Sequence, residues 1–122
     1  MDNLNNKFSK YINKIKQSEI IVIVEGKKDK SALEKFGIKN IIELNKKPIF
    51  EIIESISSKN KECIILTDLD KQGKELYGKL NSGLQQLGVE VDNNFRNFLF
   101  KKTKLRQIEG LTTYIENNLK SN

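Results

Sequence analysis

The sequence predicts an α/β fold in three layers, with a central four-stranded parallel sheet covered by helices on both faces. Three observations predict it. Ile20–Val24 and Cys63–Thr67 are apolar, largely β-branched runs without polar alternation, the composition of strands buried on both sides. Segments with apolar residues at helical spacing lie between such runs. Gly37 and Gly88 stand where two of those helices should stop.

The elements follow in order. Leu4, Phe8, Tyr11, Ile12 and Ile15 recur at helical spacing with Lys7, Lys10 and Lys14 between them, which predicts an amphipathic helix over 1–17. The first strand, Ile20 to Val24, leads to a helix from about Asp29 to Phe36 and a second strand from Asn40 to Leu44. Pro48, the lone proline, can open the next helix, which reaches about Ser57 and has Phe50, Ile52, Ile53 and Ile56 for its buried face. After the third strand, Cys63 to Thr67, a long helix runs from about Asp70 to Leu87, and Val89 to Val91 makes a fourth strand. The remainder, 92–122, reads as a helical extension, with turns over Phe95 to Phe100, a short extended piece at Gln107-Ile108 and a last helix over Leu111 to Leu119. No repeat, low-complexity tract or Pro/Gly linker divides the chain, so 1–122 is expected to be one domain with its core in 20–91. Right-handed crossovers and a strand order 2-1-3-4 would set the ends of the first and third strands side by side, where ligands of open α/β sheets bind.

Composition narrows the chemistry. With one cysteine and no histidine, an intrachain disulfide, a Cys/His zinc site and a histidine-assisted nucleophile are all excluded. Catalysis would have to use carboxylates, lysines or a hard metal. Cys63, inside a strand, reads as a small buried hydrophobe. No apolar run approaches the ~20 residues of a membrane span and the start is polar, so a cytoplasmic protein with no membrane partner is expected. The net charge of +6 and pI near 9.4 suit a nucleic-acid partner, because lysines near phosphates release condensed counterions. A lysine-, asparagine- and isoleucine-rich composition gives the same charge without any nucleic acid.

The polar residues at the predicted strand ends carry more. Glu25-Gly26 follows the first strand directly, with Lys27, Lys28 and Lys30 behind it. Asp68 and Asp70 follow the third strand in Thr67-Asp68-Leu69-Asp70-Lys71-Gln72-Gly73. On neighbouring strands, Glu25, Asp68 and Asp70 would meet at one crevice. Gathering three anions is unfavourable without a cation, and hard oxygen ligands with retained water suit Mg²⁺. Each acid also has a plain structural reading, Asp70 as a helix N-cap and Glu25 as a partner of a neighbouring lysine.

At these residues the sequence resembles the TOPRIM domain of topoisomerases, bacterial-type primases, recombination mediators and the nuclease that matures ribosomal RNA precursors. Val24-Glu25-Gly26-Lys27 and, about forty residues later, Asp68-Leu69-Asp70-Lys71-Gln72-Gly73 look like its paired motif, and the resemblance covers about 20–91. It implies a Rossmann-like fold, a general acid or base at Glu25, Mg²⁺ (or Mn²⁺) on Asp68 and Asp70 with Glu25, turn glycines at Gly26 and Gly73, and phosphodiester chemistry on RNA or DNA. Gln72 and Lys74 stand where topoisomerases commonly carry further acids, and Tyr11, Tyr77 and Tyr114 all fall in helical stretches. A small nuclease-type protein therefore fits better than a topoisomerase.

Around the acids, Lys27, Lys28, Lys30, Lys71 and Lys74 would form a basic collar for flanking phosphates, and Arg96 and Arg106, the two arginines, are the fork-shaped candidates for bidentate phosphate contacts. Each lysine reads equally well as a solvated helix face. Glu109-Gly110 reads as a turn that could bring a further carboxylate. Three functions remain open: a Mg²⁺-dependent nuclease or related phosphotransfer enzyme, a non-catalytic module binding nucleic acid or a protein partner, and an aspartyl phosphatase. The last fits poorly, because those enzymes place the Asp pair on the first strand.

Overall fold

The computed structural model describes residues 4–103, 105–106 and 108–110. Helices and strands alternate as α1 (Leu4–Ser18), β1 (Ile21–Val24), α2 (Lys27–Glu34), β2 (Ile41–Glu43), α3 (Ile49–Lys59), β3 (Glu62–Ile65), α4 (Lys71–Gln86), β4 (Glu90–Val91) and α5 (Asn94–Lys102), followed by a 3₁₀ turn, Ile108–Gly110. All neighbouring strands pair in parallel, in the order β2-β1-β3-β4. β1 is thus internal, with Val22 opposite Ile41 on one side and Ile64 on the other.

The unalternated apolar runs are explained by two cores, one on each face of the sheet. Successive strand side chains point to opposite faces. Val22, Val24, Ile64 and Leu66 therefore pack with Phe8, Ile12 and Ile15 of α1, Leu33 of α2 and Phe95 and Leu99 of α5. Ile21, Ile23, Cys63 and Ile65 face the other way, onto Ile52, Ile53 and Ile56 of α3 and Leu80 and Leu84 of α4. Cys63 is fully buried, and that burial, followed by the charge of Glu62, pushes its thiol up to about 11, so it is an inert core residue. No helix among the described residues is long and apolar enough to cross a membrane.

Several details differ from the sequence-based expectation. α2 begins at Lys27, two residues before Asp29, because the Asp29 carboxylate accepts from the Gly26 N–H at 3.0 Å and so closes the first turn from within. Phe50 is 69% exposed: the buried stripe of α3 is Ile49, Ile52, Ile53 and Ile56, spaced i, i+3, i+4, i+7, and position 50 is turned away from it. The expected stops hold. Gly37 and Gly88 take φ of +87° and +84°, a left-handed conformation that a side chain would strain. The expected helix over 111–119, Gln107 and Tyr114 lie outside the described residues.

Candidate active site at the carboxyl end of the sheet

The ladder between β1 and β3 continues one residue past β3, with Leu66 N–H donating to the Ile23 carbonyl at 2.8 Å. This continuation brings Glu25 against the backbone of Asp68, whose N–H donates to Glu25 Oε2 at 2.7 Å. The two motif halves, 43 residues apart, are joined by this bond.

The segment after β3 is fixed at almost every residue. Thr67, fully buried, donates its hydroxyl to the Gly73 carbonyl at 2.8 Å. Asp70 is the N-cap of α4, its Oδ1 accepting from the Gly73 N–H at 2.7 Å. Asp68 Oδ1 accepts from the Ile108 N–H at 2.7 Å, and Leu69 N–H donates to the Arg106 carbonyl at 2.9 Å, so the C-terminal 3₁₀ turn and the residues before it brace the loop. Gly73 permits all of this by close approach: a Cβ there would lie 2.1 Å from the Asp68 carbonyl oxygen and 2.7 Å from its carbon. Gly26 has no such constraint, since its φ of −146° is ordinary extended backbone and a Cβ would come no nearer than 3.9 Å to the Asp29 carboxylate.

Arg96 lies beneath the site. Only 7% exposed, it donates from Nη1 to the Thr67 carbonyl, and its guanidinium carbon sits 4.7 Å from the Tyr77 ring centroid and 5.0 Å from that of Phe100. Burial lowers its pKa, while Tyr77, Asp68 and Glu25 act the other way. Tyr77 in turn donates its hydroxyl to Asn93 Oδ1 at 2.6 Å, a packing role. The surface fork expected at position 96 is instead an internal cation behind the carboxylates. Arg106 is exposed, its Nη1 donating to the Leu105 carbonyl at 2.7 Å and to Phe100 at 3.4 Å.

Glu25, half-buried, has its carboxyl pushed above the ordinary glutamate value. Burial is the main cause and the Asp68 and Asp70 charges add to it, against the lowering effects of the Asp68 N–H and of Arg96. The carboxylates are therefore near enough to repel one another. They do not form a closed cage: among the described residues no three acidic or cysteine side chains converge on a common metal position. Glu25 and Asp68 line a cavity of about 490 Å³ at the ends of β1, β2 and β3; Asp70 does not.

Lys27 and Lys28 from the start of α2 also line the cavity, whereas Lys30, Lys71 and Lys74 lie outside its wall. Across from α2 stand Asn45, Lys46 and Lys47, which the sequence pattern had not singled out. This loop is tied to the site, because Asn45 N–H donates to the Glu25 carbonyl at 3.0 Å and Lys47 N–H to that of Leu44 at 2.7 Å. Asn45 and Lys46 both have positive φ, 43° and 64°, and for a lysine the left-handed conformation costs about 1–2 kcal/mol. Their position was legible in one respect: they directly follow β2, a neighbour of β1, at the edge where ligands bind.

Comparison with known proteins bears on the same region. The Toprim domain family model matches residues 20–97, from the start of β1 into α5. The chain is a Toprim domain protein of the UPF0292 family. A UPF0292 protein of Methanocaldococcus jannaschii is 34% identical over 110 residues, covering 87% of this chain and 86% of its own length, and one of Pyrococcus abyssi is 38% identical over 105 residues, covering 85% and 78%. A solved structure described as a putative protein from Aquifex aeolicus superposes with a TM-score of 0.75 at 39% identity, over 83% of this chain and 94% of that one. The Toprim match includes both acidic segments and their crossovers. α1 precedes it, and the 3₁₀ turn that braces Asp68 follows it.

Proposed function

We propose that this Toprim protein carries out Mg²⁺-dependent phosphodiester chemistry of the nuclease type on nucleic acid. The observation that carries the reading is the Glu25–Asp68 contact: a carboxyl of raised pKa, on the end of an internal strand, opens onto a cavity that Lys27, Lys28, Lys46 and Lys47 make basic. Membership of the Toprim family supports it.

The donor set fits a hard divalent cation. Asp68 and Asp70 offer carboxylate oxygens anchored by backbone N–H groups, the charges of both raise Glu25, and an open arrangement suits an ion that keeps part of its water. Mg²⁺, or Mn²⁺, held by Asp68 and Asp70 with Glu25 alongside, would supply charge neutralisation and polarisation of a phosphoryl oxygen. The remaining work falls to the chain. Water attacks phosphorus, a new P–O bond forms and the bond to the leaving sugar oxygen breaks. Glu25 as carboxylate takes the proton of the attacking water or, as the acid, gives one to the leaving oxygen, and its raised pKa suits such a transfer. Lys27 and Lys28 hold phosphates next to the scissile one. Lys30, Lys71, Lys74 and the exposed Arg106 would reach only a longer substrate.

Glu25→Gln tests the assignment. Incubated with labelled RNA and DNA, with Mg²⁺ or with chelator, the variant is expected to bind as the wild type does and to lose about 10²- to 10⁴-fold in turnover. Cleavage at the full wild-type rate would remove Glu25 from the chemistry. One observation favours a second reading, a non-catalytic nucleic-acid-binding module: Asp70 is engaged as a helix cap and stands off the cavity. A wild-type protein that cuts none of the panel, yet binds it as well as the Glu25→Gln variant does, would select it.

A further inference from the structure

A second cavity, of about 500 Å³, runs between α1 and α5 and shares no lining residue with the crevice at the sheet end. Its walls are basic. Lys7, Lys10 and Lys14 come from α1, Lys101 and Lys102 from the last turn of α5, and among the described residues no acidic side chain lines it. In a chain with 22 basic and 16 acidic residues, five lysines around one cavity with no acid among its described lining residues is a marked segregation. Lys7 and Lys14 are separated by about 10 Å along the helix axis, at ~1.5 Å per residue. That is close to the rise of three stacked nucleotides at ~3.4 Å each.

The floor is aromatic. Tyr11 lies between Lys7 and Lys14 in the same wall, its ring held at 5.1 Å from Phe98 and 5.5 Å from Phe95, centroid to centroid, so its exposed part is pre-oriented. Asn94 and Asn97, both exposed on α5, line the opposite wall with amides that can donate and accept. Lysines for phosphates, a fixed aromatic ring for stacking and amides for base edges are the elements by which single strands are held. A lipid surface would call for exposed apolar side chains. Among the described residues the large hydrophobics that are exposed, Phe50 and Leu87, lie elsewhere, and Phe98 is only 5% exposed.

We infer that the α1–α5 groove binds a segment of single-stranded nucleic acid, with the lysines on phosphates and Tyr11 under a base. The inference extends the nucleic-acid reading of the sheet-end site but does not depend on its chemistry, since binding in the groove needs neither metal nor Glu25.

Anisotropy of a labelled twelve-nucleotide oligouridine, titrated with the full chain in chelator over a range of salt, tests it. Removing one lysine from a phosphate should reduce the slope of log K against log salt by about 0.7. The variant Lys7→Ala/Lys14→Ala/Lys101→Ala is expected to bind more than about tenfold more weakly than wild type at low salt, with a slope smaller by about 2. Tyr11→Leu should weaken binding about tenfold at unchanged slope, the signature of a missing base stack. Wild-type affinity and slope in the triple variant would overturn the inference, as would wild-type protein that binds phosphatidylserine vesicles but no oligonucleotide. Failure here and failure of the nuclease reading are distinguishable. A protein that binds through the groove yet cuts nothing refutes only the latter. One that cuts while the triple variant binds like wild type refutes only the former.

Discussion

The two halves of the Toprim motif occupy equivalent places, each just past a central strand and leading into a helix, yet they are built in opposite ways. After β3, Thr67, Asp68, Leu69, Asp70 and Gly73 all have polar partners, Arg96 holds the Thr67 carbonyl from below, and no atom can be added at Gly73. After β1, Gly26 has room for a side chain, the first turn of α2 rests on the Asp29 bond, and Lys27 and Lys28 are exposed. On the proposed function the contrast is a division of labour: one half would be a rigid mount for the aspartates, and the other would present the proton-transferring glutamate and long cationic side chains to the substrate. Rigid placement is what makes electrostatic groups effective, whereas long lysines need only be nearby.

The two glycines separate the halves most sharply. Gly73→Ala must displace the Asp68 backbone and is expected to destabilise by about 3 kcal/mol, while Gly26→Ala should stay within ~0.5 kcal/mol. Urea denaturation of both variants measures the ratio. Equal losses would show that the halves are not built differently.

Arg96→Met keeps most of the volume but leaves the Thr67 carbonyl without its donor, which should cost about 1–3 kcal/mol. It also removes a cation that lowers the Glu25 pKa. The Glu25 titration, followed by NMR of its side-chain carbonyl, should therefore move upward. A titration that did not move would detach Arg96 from the site electrostatics and leave it a packing residue.

Asp29→Ala tests the looser half by removing the bond that closes the first turn of α2, with an expected loss of about 1 kcal/mol. No change in thermal stability would mean that α2 is held by Leu33 and the core alone.

A subtler change is the most diagnostic for Glu25. Its pKa is raised in the folded state, so the folded protein binds the proton more tightly than the unfolded chain, and the stability this provides is complete below the unfolded-state value and lost as pH rises through the folded one. Glu25→Gln, neutral throughout, should thus be slightly more stable than wild type at pH 7, with the gap closing in acid. Melting temperatures measured at both pH values check this, and a gap of the opposite sign would refute the upward direction of the shift.

The parallel sheet and the meeting of Glu25 with Asp68 were legible in the sequence through unalternated strands, helix-stopping glycines and acids at strand ends, once the order 2-1-3-4 common to doubly wound sheets was assumed. Hydrophobic period and turn chemistry are properties of neighbouring residues, and they set the architecture of 20–91. Other relations between partners far apart in the chain came from packing alone. Arg96 carries the same charge on a surface or in a core, and its position against Thr67, 29 residues away, puts it inside. Lys46 and Lys47 resemble any solvated lysines until β2 lies beside β1, and Gly73 reads as a turn residue until the Asp68 carbonyl is found where a Cβ would sit. The lysines of α1 and α5 are separate helix faces in the sequence, and they share one groove because both helices pack on the same side of the sheet. Charge and residue type are fixed by sequence, but which charges share a dielectric environment and a ligand is fixed by packing.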